Sequence, residues 1–404
     1  MKKLRTAALW AVILLFAVLL PGFFLFKQAA QRLPDTYTVV RGEALTFSTP
    51  GLTARRITDK TAQVSETGDT EKSYTAQILL FGFLPVKTVS VSVAESRSVI
   101  PCGTPFGIKL FTDGVVVVDT SAISTAAGTK DPAKEAGIRK GDIIREIDER
   151  PVTSNEQLGE TMEKSGGRPV ALRIDRDGED LTLLLTPARS DYDGKYKGGV
   201  WVRDSTAGIG IVTFYDPSTG NFAGLGHGIC DADTEALLPL GSGEIVPVCI
   251  SGITRGKQGN AGRLRGYFSS EEELGTLFRN DETGVYGSLY QPPVQGTAVP
   301  FAMKQEVAEG PAQLLTTVEG ETPRLYDVEI ESLDLRDETR IKNMVLHVTD
   351  EELLEKTGGI VQGMSGSPVL QNGKLVGAVT HVILHDPERG YGIFAENMGE
   401  PTDN

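Results

Sequence analysis

Histidine is scarce in this chain of 404 residues, and only His227, His347, His381 and His385 can serve a mechanism that needs imidazole. Cysteine is scarcer still. Cys102, Cys230 and Cys249 cannot all pair within one chain, which excludes a disulfide scaffold. Basic charge also runs short: 40 Lys and Arg stand against 54 Asp and Glu, a net charge of −14. A surface that acidic repels phosphate backbones and argues against nucleic acid as a partner. No solenoid-period repeat and no low-complexity segment is present. With 40% apolar residues the chain can bury real cores, and at ~100–200 residues per domain it divides into about two to four units.

What is present begins with a charged and then charge-free N-terminus. Lys2, Lys3 and Arg5 precede the uncharged run Thr6 to Phe26. At ~1.5 Å per residue that run spans ~31 Å, enough to cross a bilayer. Residues 1–26 are expected to be a signal anchor, and basic residues ahead of the apolar run would leave the rest of the chain on the non-cytoplasmic side. Residues 27–95 alternate in Ala76 to Phe83 and in Lys87 to Val93, the pattern of a small β region.

Residues 96–188 carry a denser signal. Gly114 to Asp119 is fit for a buried strand, Pro132 to Gly137 for a one-turn helix closed by glycine, and Gly141 to Ile147 for a turn into a strand. Ser154 is expected to cap a helix to about Lys164, and a hairpin should turn at Asp177-Gly178. This order of elements resembles a PDZ domain (α+β) of the type found in bacterial proteases, with AGIRKGDIIREI its most specific stretch. The resemblance implies that Gly107, Ile108, Lys109 and Leu110 form the loop whose amides receive a peptide carboxylate.

Residues 189–404 contain many short β-like runs and glycine turns, the profile of a barrel or sandwich, with only Ser270 to Arg279 suggesting a helix of any length. The strongest chemical signal lies here, in Gly363-Met364-Ser365-Gly366-Ser367-Pro368 followed by a strand and an Asn-Gly turn. A small-residue turn with a central serine can aim the amides of Gly363 and Ser365 at one developing oxyanion. The same residues also suit an ordinary loop between strands. Glycine, any residue, serine, glycine, small residue and proline resembles the nucleophile loop of chymotrypsin-like serine peptidases. Ser367 is a rival nucleophile, though a residue before proline is pushed toward extended backbone.

A serine nucleophile needs a base, and His227 sits among glycines in Gly224-Leu225-Gly226-His227-Gly228, open to a partner from another segment. Asp350 ends the run Met344 to Thr349 and is a candidate for orienting that imidazole, or equally an N-cap for the helical turn that follows it. His381, His385 and Asp386 could instead hold a metal, although that spacing on an extended segment needs a third, distant ligand.

Taken together, these stretches resemble the stage IV sporulation protein B (SpoIVB) peptidases of endospore-forming bacteria. Asp204 to Gly210, Gly224 to Ile229 and Leu353 to Val382 carry the likeness. The resemblance implies a mainly β chain with a chymotrypsin-like double β-barrel, and a catalytic triad of Ser365, His227 and Asp350 with no cofactor or metal. It also implies self-processing and cleavage of a membrane-protein inhibitor in an intramembrane protease complex at the inner forespore membrane, facing the intermembrane space, so that sigma-K is released. The other readings are a general envelope quality-control PDZ peptidase and a non-catalytic, membrane-tethered PDZ scaffold.

Overall fold

The computed structural model describes residues 30–31, 33–57, 72–336 and 340–399. The expected anchor over 1–26 lies outside them. Among the described residues no helix is long and apolar enough to cross a membrane, the longest being the ten residues Asn155–Lys164. The single-pass membrane placement expected from the sequence is corrected accordingly.

The first unit is a four-stranded sheet. It orders β1 (Thr36–Val40), β4 (Leu84–Ala94), β3 (Ser73–Leu80) and β2 (Leu52–Arg56), with β1 and β4 parallel. Its period-two apolar face, including Tyr37, Val39, Ile78, Val89 and Val91, forms a small separate core.

Next comes β5 (Ser98–Pro101) and then the strand that organises the molecule, β6 (Pro105–Thr120). Sixteen residues exceed the usual strand length because β6 serves two domains in turn. Its first half alternates Phe106, Ile108 and Leu110 into a barrel core, and its second half places Val115 and Val117 in the PDZ core. Gly114, at φ +91°, marks the change, since a Cβ there would sit 2.7 Å from the Ile144 carbonyl oxygen.

The PDZ domain follows as β7 (Ile123–Thr125), β8 (Gly128–Lys130), α1 (Pro132–Ala136), β9 (Ile143–Ile147), β10 (Arg150–Pro151), α2 (Asn155–Lys164), β11 (Val170–Arg176), β12 (Glu179–Leu185), β13 (Ala188–Arg189) and β14 (Tyr196–Lys197). The capping residues act as their chemistry requires. Asp131 accepts from the Lys134 amide at 3.2 Å, Ser154 from the Gln157 amide at 3.2 Å, and Gly137 closes α1 at φ +80°. Asp177 and Gly178, both at positive φ, turn the β11–β12 hairpin.

The chain then returns along β15 (Val200–Tyr215), which pairs antiparallel with β6 from Val200↔Thr120 to Ile211↔Pro105. With β16 (Asn221–Gly224), β17 (Leu240–Thr254), β19 (Gly275–Asp281) and β20 (Gly284–Leu289), strands β6 and β15 close a ring of six, β6-β17-β19-β20-β16-β15, while β18 (Arg263–Phe268) flanks β17. The PDZ domain is thus an insertion between two neighbouring strands of this barrel. After β21 (Val299–Pro300) a second closed barrel forms from β22 (Gly310–Thr316), β23 (Arg324–Leu333), β24 (Met344–Val348), β27 (Arg389–Phe394), β26 (Lys374–Val382) and β25 (Pro368–Gln371), with α3 (Glu351–Thr357) after β24. Its core includes Leu314, Ile330, Leu346, Val369 and Phe394.

Two expectations change here. Gly107, Ile108, Lys109 and Leu110 are not a carboxylate-receiving loop: they lie mid-strand in β6, paired to Ile209–Thr206 of β15 on one side and Val246–Gly243 of β17 on the other. Both edges of that backbone are used by the barrel, so no peptide can add there. The expected units 96–188 and 189–404 also share strands, because β6 already belongs to the first barrel and β15 to both units. The suggested helix over 270–279 is absent, since Gly275 onward is drawn into the β17–β19–β20 ladder.

Candidate active site

The turn Gly363 to Pro368 leads into β25 and is clamped from both sides. The Gly366 amide donates to the Val379 carbonyl at 2.8 Å, and Thr213 Oγ1 of the first barrel donates to the Gly366 carbonyl at 2.7 Å. Gly366 has φ +93°, and a Cβ there would fall 2.1 Å from the Ile211 carbonyl oxygen, so only glycine fits. Gly363 is also left-handed, at φ +95°. Among the described residues the amides of Gly363 and Ser365 donate no hydrogen bond, which leaves both available to an oxyanion.

His227 follows β16 of the other barrel. Leu225 and Gly226, both at positive φ, swing the chain so that a Cβ on Gly226 would touch Thr380 and Ile393 of the second barrel at 3.0 Å. Asn280 holds the loop beyond, its amide group bonding the Ile229 backbone on both sides and the Leu238 carbonyl, at 2.8–3.0 Å. His227 and Ser365 therefore line one cleft of about 680 Å³ between the barrels, together with Ile209, Ile360, Val361 and His381.

His227 Nδ1 lies 2.9 Å from the Gly228 carbonyl oxygen. A carbonyl only accepts, so Nδ1 carries the hydrogen and Nε2 keeps the lone pair a base requires. Burial holds the His227 pKa below its ordinary value, although the Gly228 carbonyl works the other way. The imidazole is neutral near pH 7. Ser365 Oγ donates to the Thr380 carbonyl at 2.8 Å, so the hydroxyl rests on a strand beside the base.

Asp350 is elsewhere. Its Oδ1 accepts from the Leu353 amide at 2.9 Å as the N-cap of α3, and its Oδ2 accepts weakly from the Asp327 amide at 3.4 Å. The structure does not bring it to His227, whose ring neighbour is His381, with centroids 5.0 Å apart. A histidine in a strand carries no local cue to such a neighbour, which is why the sequence does not point to His381 as part of this site. Burial, then the charges of His227 and Lys342, hold His381 near a pKa of about 4. Its Nδ1 is buried with no hydrogen-bond partner among the described residues. Glu282, a carboxylate that lines the cleft, is paired with Arg340 at 2.8 Å.

Ser367 is fully buried, its Oγ bonding Thr316 Oγ1 and the Met364 carbonyl at 2.7 Å each, which removes it as a nucleophile in this arrangement. His347 pairs with Glu331 at 3.2 Å on the outside of the second barrel. No group of three or more metal-ligating side chains occurs among the described residues, and Asp386 is spent on Arg389 at 2.6 Å. A larger cleft of about 1010 Å³ near Pro292 and Pro293 holds Cys102, but burial pushes that thiol far above the range in which it could act.

Residues 89–186 match the PDZ domain family, and residues 194–399, just over half of the chain, match the family described as SpoIVB peptidase S55. The regulator of sigma-E protease RseP of Salmonella typhimurium is 36% identical over 66 residues, 16% of this chain and 15% of that protein. Serine protease HTRA1 of Xenopus laevis is 36% identical over 61 residues, 15% of this chain and 13% of that one. The chain thus spans about one-seventh of the length of these two relatives. A crystal structure of an inactive serine-to-alanine mutant of Rv3671c from M. tuberculosis matches 47% of this chain and 77% of that one at 14% identity, with a TM-score of 0.29. With a PDZ domain and the peptidase match over its C-terminal half, the chain belongs to the SpoIVB peptidase S55 family of PDZ-containing serine peptidases.

Proposed function

We propose that this chain is a sporulation serine endopeptidase that processes itself and cleaves a membrane-protein inhibitor, so that an intramembrane protease is activated and releases sigma-K. In this reading the two barrels work as chymotrypsin-like halves. Ser365 is the nucleophile, His227 its general base, and the Gly363 and Ser365 amides hold the oxyanion. The observation that carries it is the convergence of Ser365 and His227, one from each barrel, on a single cleft.

The chemistry follows from the groups present. Ser365 Oγ leaves the Thr380 carbonyl, passes its proton to His227 Nε2 and attacks the substrate carbonyl. The imidazolium then protonates the leaving amine, and water, deprotonated by the same nitrogen, releases the acyl group. The Gly228 carbonyl fixes the tautomer that a carboxylate fixes in a triad. Asp350 shapes the second barrel as a helix cap.

A fluorophosphonate probe with mass spectrometry of the labelled protein tests the assignment: the adduct should map to Ser365 and vanish in Ser365→Ala. Incubation of the purified protein alone, followed by intact-mass measurement, tests self-processing. A protein that neither labels nor cuts would be a PDZ scaffold instead.

A further inference from the structure

The edge of β15 opposite β6 is unpaired over half the strand. Strands β16 and β5 join β15 only at Val212–Tyr215, so from Val200 to Gly210 the ladder to β6 is the only one among the described residues. At Ile211 this open edge meets the nucleophile turn. The Ile211 amide donates to the Ser365 carbonyl at 3.0 Å, and the Ile211 carbonyl accepts from the Leu225 amide at 3.3 Å.

Direction follows from period two. The register between Ser205 and Ile211 is unbroken, so Ile209, Ala207 and Ser205 turn their amides and carbonyls outward as Ile211 does. None of these groups is hydrogen-bonded elsewhere among the described residues. Thr206 to Ile209 line the catalytic cleft.

At its other end the same strand is a wall of the PDZ domain. Val200 and Val202 pack on the PDZ core, and α2 lies alongside. The Asn155 amide donates to Asp204 Oδ2 at 2.9 Å, and a Cβ on Gly198 would lie 2.9 Å from Met162 Sδ at the far end of the helix.

We infer that β15 is a continuous docking track, on which an extended polypeptide adds as a strand from the PDZ domain to Ser365. The occupant is the substrate segment that follows the scissile bond. The strand runs from PDZ to cleft, and an antiparallel partner, the more stable pairing, carries its later residues back toward the PDZ domain. From Ile209 to Val202 is about seven residues, or ~23 Å at ~3.3 Å each. The inference rests on the peptidase reading for the identity of the occupant, while binding to the edge can be measured without it.

Fluorescein-labelled peptides sharing one cleavable core, chosen from a peptide-library digest by the full chain, are titrated against Ser365→Ala by anisotropy. If no digest yields a core, an arbitrary extended peptide series replaces it. Adding residues after the core should tighten binding at least tenfold by about seven residues, and adding them before it should not. N-methylation of single downstream amides should weaken binding about 3- to 10-fold at every second position along the stretch facing Ile209 to Ser205, ahead of the register shift between Arg203 and Ser205, and leave the positions between unchanged. Ala207→Pro removes an outward amide without touching the β6 ladder and should erase the gain; if that variant does not fold, the N-methyl series decides alone. Equal binding of short and long peptides, or no alternation, overturns the track. Length-dependent binding with no hydrolysis or Ser365 labelling by the wild type would instead overturn the peptidase reading and leave the track standing.

Discussion

Asp350→Asn separates a cap from a catalytic acid. Asparagine retains one oxygen that can accept from the Leu353 amide at 2.9 Å, and it caps helices as well as aspartate does. What it loses is the acceptor facing the Asp327 amide at 3.4 Å, a bond long enough to carry little. The stability change should be below ~0.5 kcal/mol, whereas Asp350→Ala forfeits the cap at about 0.5–2 kcal/mol. For domains of 150–250 residues ~1 kcal/mol moves Tm by about 2–4 °C, so differential scanning fluorimetry should resolve Ala but not Asn from wild type. The rate should follow the cap: kcat/KM on a peptide found by library digestion should change less than threefold in Asp350→Asn. If Asp350 instead oriented His227, loss of the carboxylate would lower kcat by about 10⁴ at unchanged Tm, because asparagine favours the wrong imidazole tautomer and cannot stabilise the imidazolium. That result would refute the placement and show that Asp350 reaches the imidazole during turnover.

Ser365→Ala should abolish fluorophosphonate labelling at a nearly normal Tm, since it removes one bond to the Thr380 carbonyl worth ~0.5–1.5 kcal/mol, whereas Ser367→Ala should lose about 1–3 kcal/mol by stranding buried Thr316 and still label. Gly366→Ala must move the serine turn off Ile211 and Leu225, and because a shift of ~1 Å costs ~10²-fold, kcat should fall at least that far in a peptide assay. Activity should rise with pH on the acid side with its midpoint below ~6.5, because His227 titrates below its ordinary value and only its neutral form takes the serine proton. Stability has the same sign: His381 binds its proton near pH 4 when folded and near ~6.5 when unfolded, so denaturant midpoints should hold above pH 6.5 and fall between there and pH 4.

The nucleophile turn can be read locally because glycine at 363 and 366, serine and proline each have one conformational use within six residues. The caps Ser154 and Asp350 are legible for the same reason, although a capping aspartate and a catalytic one look alike until their partners are known. What local pattern cannot convey is a partner far along the chain. Phe106, Ile108 and Leu110 alternate as any half-buried strand does, and nothing in them tells that their neighbours are β15 and β17 rather than other PDZ strands. His381 is hidden likewise, since its significance comes from a ring on the opposite barrel.

The insertion of the PDZ domain between β6 and β15 sets an order of folding. Phe111 and Ser205 are paired, so the first barrel cannot close until the chain between them has brought its ends together. As a disordered loop that stretch would impose a closure cost growing with the logarithm of its length, before any barrel contact rewards it. A folded PDZ domain removes the cost, because its own β6–β15 ladder at Val116 and Arg203 already sets the two strands side by side. The PDZ domain should therefore fold first and template the barrel, and mutations in its core, such as Leu172→Ala, should slow the appearance of the catalytic cleft during refolding more than they speed its loss.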